Sequence, residues 1–169
     1  ANPLDEAAID KLDPSAYRAE WKWDGVRVQA VSRNGEQRLY TRTGDDISGS
    51  FPDVVAGFDF NGVIDGELLV RDEGEPGIDG LVPVAAFSAL QKRLGRKRPS
   101  VKLQQSSPGM IRAYDMLFDG DEDVRGGSFD VRRTRLEAWG KTAPEVFDIS
   151  PLVPFASWAE LTEIRAGAR

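Results

Sequence analysis

Residues 26–41 limit the fold most strongly, because they read as two strands joined by a tight turn. Residues 26–32 alternate apolar and polar side chains, which is the pattern of a strand with one buried face. Asn34-Gly35 follows, a pair that favours the positive φ angles of a two-residue hairpin turn. Residues 37–41 supply the returning strand. The chain is therefore expected to be built around an antiparallel sheet.

The rest of the sequence mixes strand and helix patterns, with strands dominant. It contains no Gly-rich phosphate loop and no dinucleotide-binding fingerprint, so side chains must hold any bound phosphate. We predict an α+β fold in which antiparallel sheets pack against helices. Further strands are predicted at 17–22, 62–70, 111–118 and 146–155, and helices at 53–58, 84–94, 130–139 and after a capping box at 157–160.

The amino-acid composition narrows the possible chemistry. The 169 residues are 40% hydrophobic, which is enough for a core of ordinary size. Cysteine and histidine are both absent, which excludes disulfides, cysteine-based zinc sites and the triads that need either residue. No apolar run approaches the roughly 20 residues of a membrane span. Nucleophilic attack and proton transfer therefore fall to Lys, Asp, Glu, Tyr, Ser or Thr.

Charge is unevenly distributed in this acidic chain, whose net charge is −6. Residues 91–102, here called the basic strip, read QKRLGRKRPSVK and contain six Lys or Arg and no acid. A basic strip on an acidic domain can face a phosphate backbone. The alternative is a solvated helix end. The candidate phosphate contacts are Lys92, Arg93, Arg96, Lys97 and Arg98.

The segment from Glu20 to Arg27 reads EWKWDGVR and carries the strongest chemical signal. Lys22 stands between two tryptophans where a strand meets an Asp-Gly turn, and this placement predicts partial shielding from water. Shielding favours the neutral amine, which is the form that attacks phosphorus. A bare Lys-x-Asp-Gly is weak evidence, since a strand ending in a turn with an exposed lysine has the same pattern.

Glu-x-Lys-x-Asp-Gly followed by Arg resembles motif I of the covalent nucleotidyltransferases, which comprise ATP-dependent DNA ligases, RNA ligases and mRNA capping enzymes. The resemblance implies that the Lys22 amine attacks the α-phosphate of ATP and keeps AMP as a phosphoramidate while pyrophosphate leaves. It also implies that Glu20 reads the amino edge of adenine. Arg27 would lie near the ribose or a phosphate.

Three further segments match the family in the same order. Residues 40–47 resemble the motif that places an arginine, here Arg42, near the phosphate. Asp65-Gly66-Glu67 resembles motif III, whose glutamate, here Glu67, meets the ribose or the metal. Residues 113–120 resemble the motif whose ring, here Tyr114, stacks on adenine. Taken singly, these residues could be a surface charge, a strand bulge and a core aromatic.

The hairpin and residues 40–47, followed by Phe51-Pro52, resemble DNA ligases more than the other members of this group, and so do residues 132–137. The resemblance then implies an ATP-grasp-like nucleotidyltransferase domain, with ATP as AMP donor and Mg²⁺ as cofactor. In the full enzyme, AMP would pass to the 5′-phosphate of nicked double-stranded DNA before a 3′-hydroxyl displaces it. The basic strip would contact that DNA. We expect a monomer without membrane attachment, working inside the cell in replication, repair or recombination, at the nucleoid if bacterial.

The sequence departs from the family pattern after Phe155. A motif resembling Glu-Gly-x-x-x-Lys and two later lysines are expected there, but the last lysine is Lys141. Residues 1–169 are therefore expected to be an incomplete adenylation domain, without the OB-fold and N-terminal DNA-binding domains, and weak or inactive alone. Two alternatives stay open, an RNA ligase or capping-type transferase, and a nucleotide-binding module without catalysis.

Overall fold

A computed structural model describes residues 9, 11–77 and 80–167, which divide into two compact units. Unit 1 comprises the described residues up to Lys22 and those from Pro151 onward, and unit 2 comprises Trp23–Ser150. The strands are β1 (Ala19–Glu20), β2 (Val26–Arg33), β3 (Glu36–Thr41), β4 (Gly62–Val70), β5 (Gly109–Asp119), β6 (Glu122–Asp123), β7 (Phe147–Ile149) and β8 (Leu152–Val153). The helices are α1 (Pro52–Ala56), α2 (Phe87–Leu94), α3 (Val101–Ser106), α4 (Phe129–Gly140) and α5 (Trp158–Gly167).

Unit 2 is built on a six-stranded sheet in the order β3-β2-β4-β5-β6, with β7 also paired to β5. All pairs are antiparallel except β5–β7, which is parallel. The hairpin between β2 and β3 turns at Asn34 (φ 53°) and Gly35 (φ 77°), the left-handed conformations that a two-residue turn requires. The α+β fold with antiparallel sheets, and the hairpin, are therefore confirmed.

One face of this sheet forms the core of unit 2. Val28 and Ala30 on β2, Ile64 and Leu68 on β4, and Ile111 on β5 are at most 1% exposed. Helices α1, α2 and α4 cover this face through their own buried apolar side chains, which are Val54, Leu90 and Leu136. Burying side chains of this size contributes about 1.5–3 kcal/mol each.

An aromatic cluster extends the core of unit 2 where α4 approaches β7. The Trp139 ring lies 5.3 Å from Phe60 and 5.1 Å from Phe147, both edge to face. Phe58 adds a further contact, 5.7 Å from Phe147. Edge-to-face rings at these distances attract one another beyond their buried area. The cluster therefore stabilises the fold through contacts between its rings.

Arg93 on α2 is fully buried, and the prediction that it contacts DNA is wrong. It lies three residues after Leu90 and therefore on the same buried side of the helix. Its guanidinium forms two bonds to Asp53 of α1, at 2.5 and 2.7 Å, and donates to the carbonyls of Ser50 and Ser107 at 2.8 and 2.9 Å. Arg93 thus holds α1 and α2 together.

Unit 1 contains a two-stranded antiparallel sheet of β1 and β8, in which Glu20 pairs with Leu152. Ser157 accepts a bond from the Glu160 amide at 3.2 Å, and the Glu160 carboxylate accepts one from the Ala156 amide at 2.7 Å. Ser157 therefore caps α5 as predicted, while Glu160 closes the box on the amide of Ala156, one residue before the N-cap. Across the described part of the chain, no helix is long and apolar enough to cross a membrane.

The Arg93–Asp53 pair predicts how the stability of the protein depends on pH. Burial alone would raise the pKa of Asp53, but hydrogen bonds from Arg93 and the Gly109 amide outweigh it and lower that pKa. Because the pKa of Asp53 is lower in the folded protein than in the unfolded chain, its ionised form stabilises the fold. This stabilisation is complete above the unfolded pKa of about 4, and it is lost as the pH falls through the folded pKa. Urea unfolding of wild type should therefore weaken progressively below pH ~4.

Asp53→Asn removes the titrating group, so its unfolding free energy should be lower at neutral pH and decline less on acidification. Asp59→Asn is the matched control, because it removes the same charge from an exposed position of unit 2. Equal acid dependence in wild type and Asp53→Asn would contradict this account of the pair.

Candidate active site

The sheet face opposite the helices carries two of the predicted ATP-binding residues, Arg27 and Glu67. Arg27 on β2 pairs in register with Glu67 on β4, which pairs in register with Arg112 on β5. Residues paired across neighbouring strands share a face, so these three side chains stand in a row. Asp65 lies on the same face, since it is two residues before Glu67. We call this row the charged face.

Arg27 is held by Asp65. Its Nη2 lies 2.5 Å from one carboxylate oxygen, and its Nε is 3.2 Å from both. Asp65 is almost fully buried, whereas the Arg27 side chain is 54% exposed. The hydrogen bond to Asp65 raises the pKa of Arg27, against the opposing effect of burial, with smaller electrostatic contributions from Asp65, Tyr114 and Asp115. Within the described residues Arg27 Nη1 makes no hydrogen bond, so one edge of the guanidinium is available to a ligand.

Tyr114 occupies an irregularity in β5. Gly66 pairs with Ala113 and Asp65 pairs with Asp115, so Tyr114 is the extra residue between two successive pairs. Such bulges re-aim a side chain and are frequent beside active sites. Tyr114 is half-buried and does not belong to the apolar core. The sequence patterns did not predict this bulge at Tyr114.

Asp115 lies beside Asp65 across the sheet and has its own arginine. Arg132 on α4 binds its two oxygens at 2.8 and 3.0 Å. The two neighbouring carboxylates are thus each neutralised, one by Arg27 and one by Arg132. Residues 132–137 resemble the ligase pattern, but nothing in the sequence predicts Asp115 as the partner of Arg132. A long-range ion pair of this kind leaves no periodic signal in a sequence.

The Asp-Gly turn of motif I needs glycine at position 25 because there is no space there for a side chain. A β-carbon at this position would collide with the backbone carbonyl oxygen of Leu68, and it would lie 2.8 Å from Cγ of Glu67 and from Cδ2 of Leu69. Real β-carbons do not approach other atoms so closely, so only glycine allows the turn to lie directly on β4. The turn that follows Trp23 is thereby seated beside Glu67.

Unit 1 carries the remaining residues of motif I. Glu20 and Lys22 line one groove of about 560 Å³, together with Tyr17, Trp158 and Arg165. That volume is in the range of small-molecule sites. Lys22 is exposed, so the expectation that two tryptophans shield it is wrong. The reason lies partly in Trp23, whose ring stacks on Arg112 instead.

Arg42 follows β3 in an exposed turn. Hydrogen bonds hold this turn together. The Thr43 hydroxyl donates to the Asp45 carboxylate at 2.5 Å, and backbone hydrogen bonds join Thr41 to Asp45 and to Gly44. Arg42 itself makes no hydrogen bond or ion pair with any described residue. The contacts present do not join it to Arg27 or Tyr114, so its predicted role near the phosphate stays a prediction.

Magnesium takes oxygen ligands, and Glu67 is the carboxylate predicted for it. In the described ranges, no group of three or more acidic side chains is placed to hold a metal ion. Asp65, the nearest acid along β4, already receives Arg27. The described residues therefore do not form a complete Mg²⁺ site by themselves.

Comparison with known proteins identifies the family. The model of the ATP-dependent DNA ligase domain matches residues 1–167. The chain belongs to this family. A probable DNA ligase of Koribacter versatilis is 32% identical to it over 136 residues, which cover 78% of this chain and 22% of that protein. DNA ligase C2 of Mycolicibacterium smegmatis is 29% identical over 155 residues, covering 89% and 41%.

Solved structures agree on the fold of this ligase domain. The ligase domain of M. tuberculosis LigD has a TM-score of 0.67 at 24% identity, covering 94% of this chain and 48% of that one. A mycobacterial DNA ligase D complexed with ATP and MES has a TM-score of 0.63 at 25% identity, covering 88% and 44%. The chain spans about a quarter of the length of the first curated relatives it matches.

The seating of Gly25 on β4 predicts the effect of adding one methyl group. Gly25→Ala should lower the free energy of unfolding by about 1–3 kcal/mol, because the new β-carbon must push the turn off Glu67 and Leu69. Gly126→Ala is the matched control, since no atom lies within 4 Å of a β-carbon there. Urea unfolding of the two variants tests this, and equal stabilities would show that the turn is not seated as described.

Proposed function

We propose that this chain provides the AMP-accepting part of an ATP-dependent DNA ligase, with Lys22 as the nucleophile. The family match over residues 1–167 carries the proposal. Lys22 Nζ attacks the α-phosphorus of ATP, a nitrogen–phosphorus bond forms as the bond to pyrophosphate breaks, and the nitrogen loses a proton. AMP then passes to the 5′-phosphate of a DNA nick. Attack by the 3′-hydroxyl releases AMP and joins the strand.

The geometry within each unit supports this assignment. In unit 1, Glu20 and Lys22 line the same groove. In unit 2, Arg27 keeps an unoccupied guanidinium edge, and the bulge at Tyr114 takes that ring out of the core. Preorganised cations matter here because negative charge develops on the α-phosphate during attack. We propose that Tyr114 stacks on adenine and that Glu20 reads its amino edge.

ATP is the proposed nucleotide because the family is named for it and a similar ligase D was solved with it. Mg²⁺ is proposed to enter with the ATP phosphates as part of the substrate, with Glu67 as the single protein carboxylate assigned to it. The proposed acceptor is nicked double-stranded DNA, bound by a monomer, at the nucleoid if the source is bacterial.

The basic strip supports contact with DNA phosphates through its exposed members. Five cations of the strip are exposed and form no ion pair with any described residue. They are Lys92, Arg96, Lys97, Arg98 and Lys102. The other arginines of unit 2 behave differently, because most of them bind a carboxylate, even at the surface. The surface pairs are Arg33–Asp121, Arg38–Glu36, Arg125–Asp123 and Arg135–Glu122.

An acidic domain that neutralises most of its other surface arginines leaves this strip uncompensated. Phosphate contacts position a protein on DNA without reading the sequence. We therefore propose that these cations bind the sugar-phosphate backbone of the substrate. Arg93 has no part in this contact.

The proposed function predicts that Lys22 is the only residue that becomes adenylylated. Full-length protein would be incubated with labelled ATP and Mg²⁺, then digested and mapped by mass spectrometry. Lys22→Ala should carry no label, and Lys22→Arg should also fail because a guanidinium stays protonated. AMP on another residue would refute the assignment. Transfer from GTP instead of ATP, or onward only to RNA, would indicate a capping enzyme or an RNA ligase.

The basic strip predicts a change in the salt dependence of DNA binding. The variant replaces Lys92, Lys97 and Arg98 by Gln in the full-length protein, and its affinity for nicked DNA is measured over a range of salt concentrations. The slope of log affinity against log salt concentration should become less steep by about 0.9 for each phosphate that the variant no longer neutralises. The matched control replaces the paired residues Arg33, Arg38 and Arg125 by Gln, which changes the net charge equally. A slope that changes equally in both triple variants would leave only a general charge effect.

A further inference from the structure

Trp23, the first residue of unit 2 and the direct neighbour of Lys22, is restrained in two ways. The guanidinium carbon of Arg112 lies 4.1 Å from the centre of its ring. Its indole Nε1 donates a hydrogen bond to Oγ of Ser150 at 2.9 Å. The stack restricts the plane of the ring, and the hydrogen bond restricts its rotation within that plane. Together they fix the side chain, and with it the backbone at residue 23.

Arg112 is a rigid platform for this ring. It is 1% exposed, and it forms two bonds to Asp148 of β7, at 2.9 and 2.7 Å. It also donates to the carbonyl of Val82 at 2.7 Å, while the Val82 amide donates to the same Asp148 at 3.2 Å. Two separate segments, β7 and the segment of Val82, therefore hold the guanidinium in place. We call Trp23, Arg112, Asp148 and Ser150 the tryptophan anchor.

Stability alone does not explain a charged platform. Burying a guanidinium has a desolvation cost, which the pairing with Asp148 has to offset, and an apolar neighbour would avoid this cost. The same unit shows that option at Trp139, whose ring packs against the rings of Phe60 and Phe147. The cation orients the Trp23 ring, because a guanidinium attracts the face of an indole and not its edge.

The segment after Trp23 is fixed at its other end by Gly25, which lies directly on β4 beside Glu67. Residues 23–25 are thus held to unit 2 at both ends. Lys22 is joined to this fixed segment by a single peptide bond. Its backbone carbonyl carbon can move only as far as the Trp23 nitrogen allows.

We propose that Trp23 is a positioning residue for AMP transfer, and that the tryptophan anchor limits the orientations from which Lys22 attacks. This inference rests on the proposed function. Orientation affects the rate of the chemical step, and a misplacement of about 1 Å can cost 10²-fold in rate. Nucleotide affinity depends on other groups. Loosening the anchor should therefore lower the maximal rate of AMP transfer and leave the half-saturating ATP concentration unchanged.

The test is a single-turnover measurement of AMP transfer to the full-length protein over a series of ATP concentrations. Trp23→Leu removes both restraints and should slow the maximal rate about 10- to 100-fold. Trp23→Phe keeps a ring over Arg112 but cannot donate the hydrogen bond to Ser150, so it should recover only part of that rate. Ser150→Ala keeps the stacked indole and loses only the hydrogen bond, so it should be slowed less than Trp23→Phe but measurably relative to wild type. Half-saturation should stay within about twofold of wild type in all three.

Trp139→Leu is the matched control, because it makes the same substitution in the aromatic cluster. It should lower the thermal midpoint at least as much as Trp23→Leu, yet transfer AMP at the wild-type rate below that midpoint. The proposal is overturned if Trp23→Leu transfers AMP as fast as wild type, if Trp139→Leu is slowed equally, or if only half-saturation changes. If Trp23→Leu fails to fold, the rates of Trp23→Phe and Ser150→Ala decide by the same criteria.

A separate readout keeps failure of the proposed function distinguishable. If wild type transfers no AMP to Lys22, the function falls, and the anchor is then judged by exchange of the Trp23 indole N–H in nuclear magnetic resonance spectra. Slow exchange in wild type that becomes fast in Ser150→Ala supports the anchor. Exchange in wild type as fast as in free tryptophan overturns it.

Discussion

The register of β4 between β2 and β5 determines which side chains of unit 2 meet the helices and which form the charged face. Ile64 and Leu68 point into the core, and Asp65 and Glu67 point to the other side. A shift by one residue would exchange the two sets, burying carboxylates against leucine and phenylalanine. The apolar contacts of the core therefore also fix the positions of the charged residues.

Buried arginines connect the helices and strands that surround the central strands of the sheet. Arg93 connects α1 to α2, Arg112 connects β5 to β7, and Arg133 on α4 donates to the carbonyl of Ser150 at 2.8 Å. Each guanidinium is planar with several donors, so it can satisfy a carboxylate and one or more carbonyls at once. A buried charge with this many partners tolerates little displacement. The segments that leave the sheet are thereby held in defined positions without disulfides.

The sequence predicted the parts of the fold that repeat locally. The hairpin at Asn34-Gly35, the strands β4 and β5 and the capping box at Ser157 each depend on residues close together in the chain. The error at Arg93 has the opposite origin. Its partner Asp53 lies forty residues away, and a run of six basic residues gives no sign that one of them turns inward. Only the helical spacing from Leu90 to Arg93 hinted at it.

The candidate site shows the same division between local and long-range information. Lys22, Glu20, Arg27 and Glu67 could be proposed from the sequence because their motifs are contiguous. The bulge at Tyr114 and the stack of Trp23 on Arg112 were missed, because both arise from contacts between distant strands. These long-range contacts are the ones that orient side chains, whereas the motifs name which side chains are present. A motif therefore indicates which reaction a chain can carry out, but it does not explain the rate of that reaction. The rate depends on how firmly residues such as Arg112 hold their neighbours.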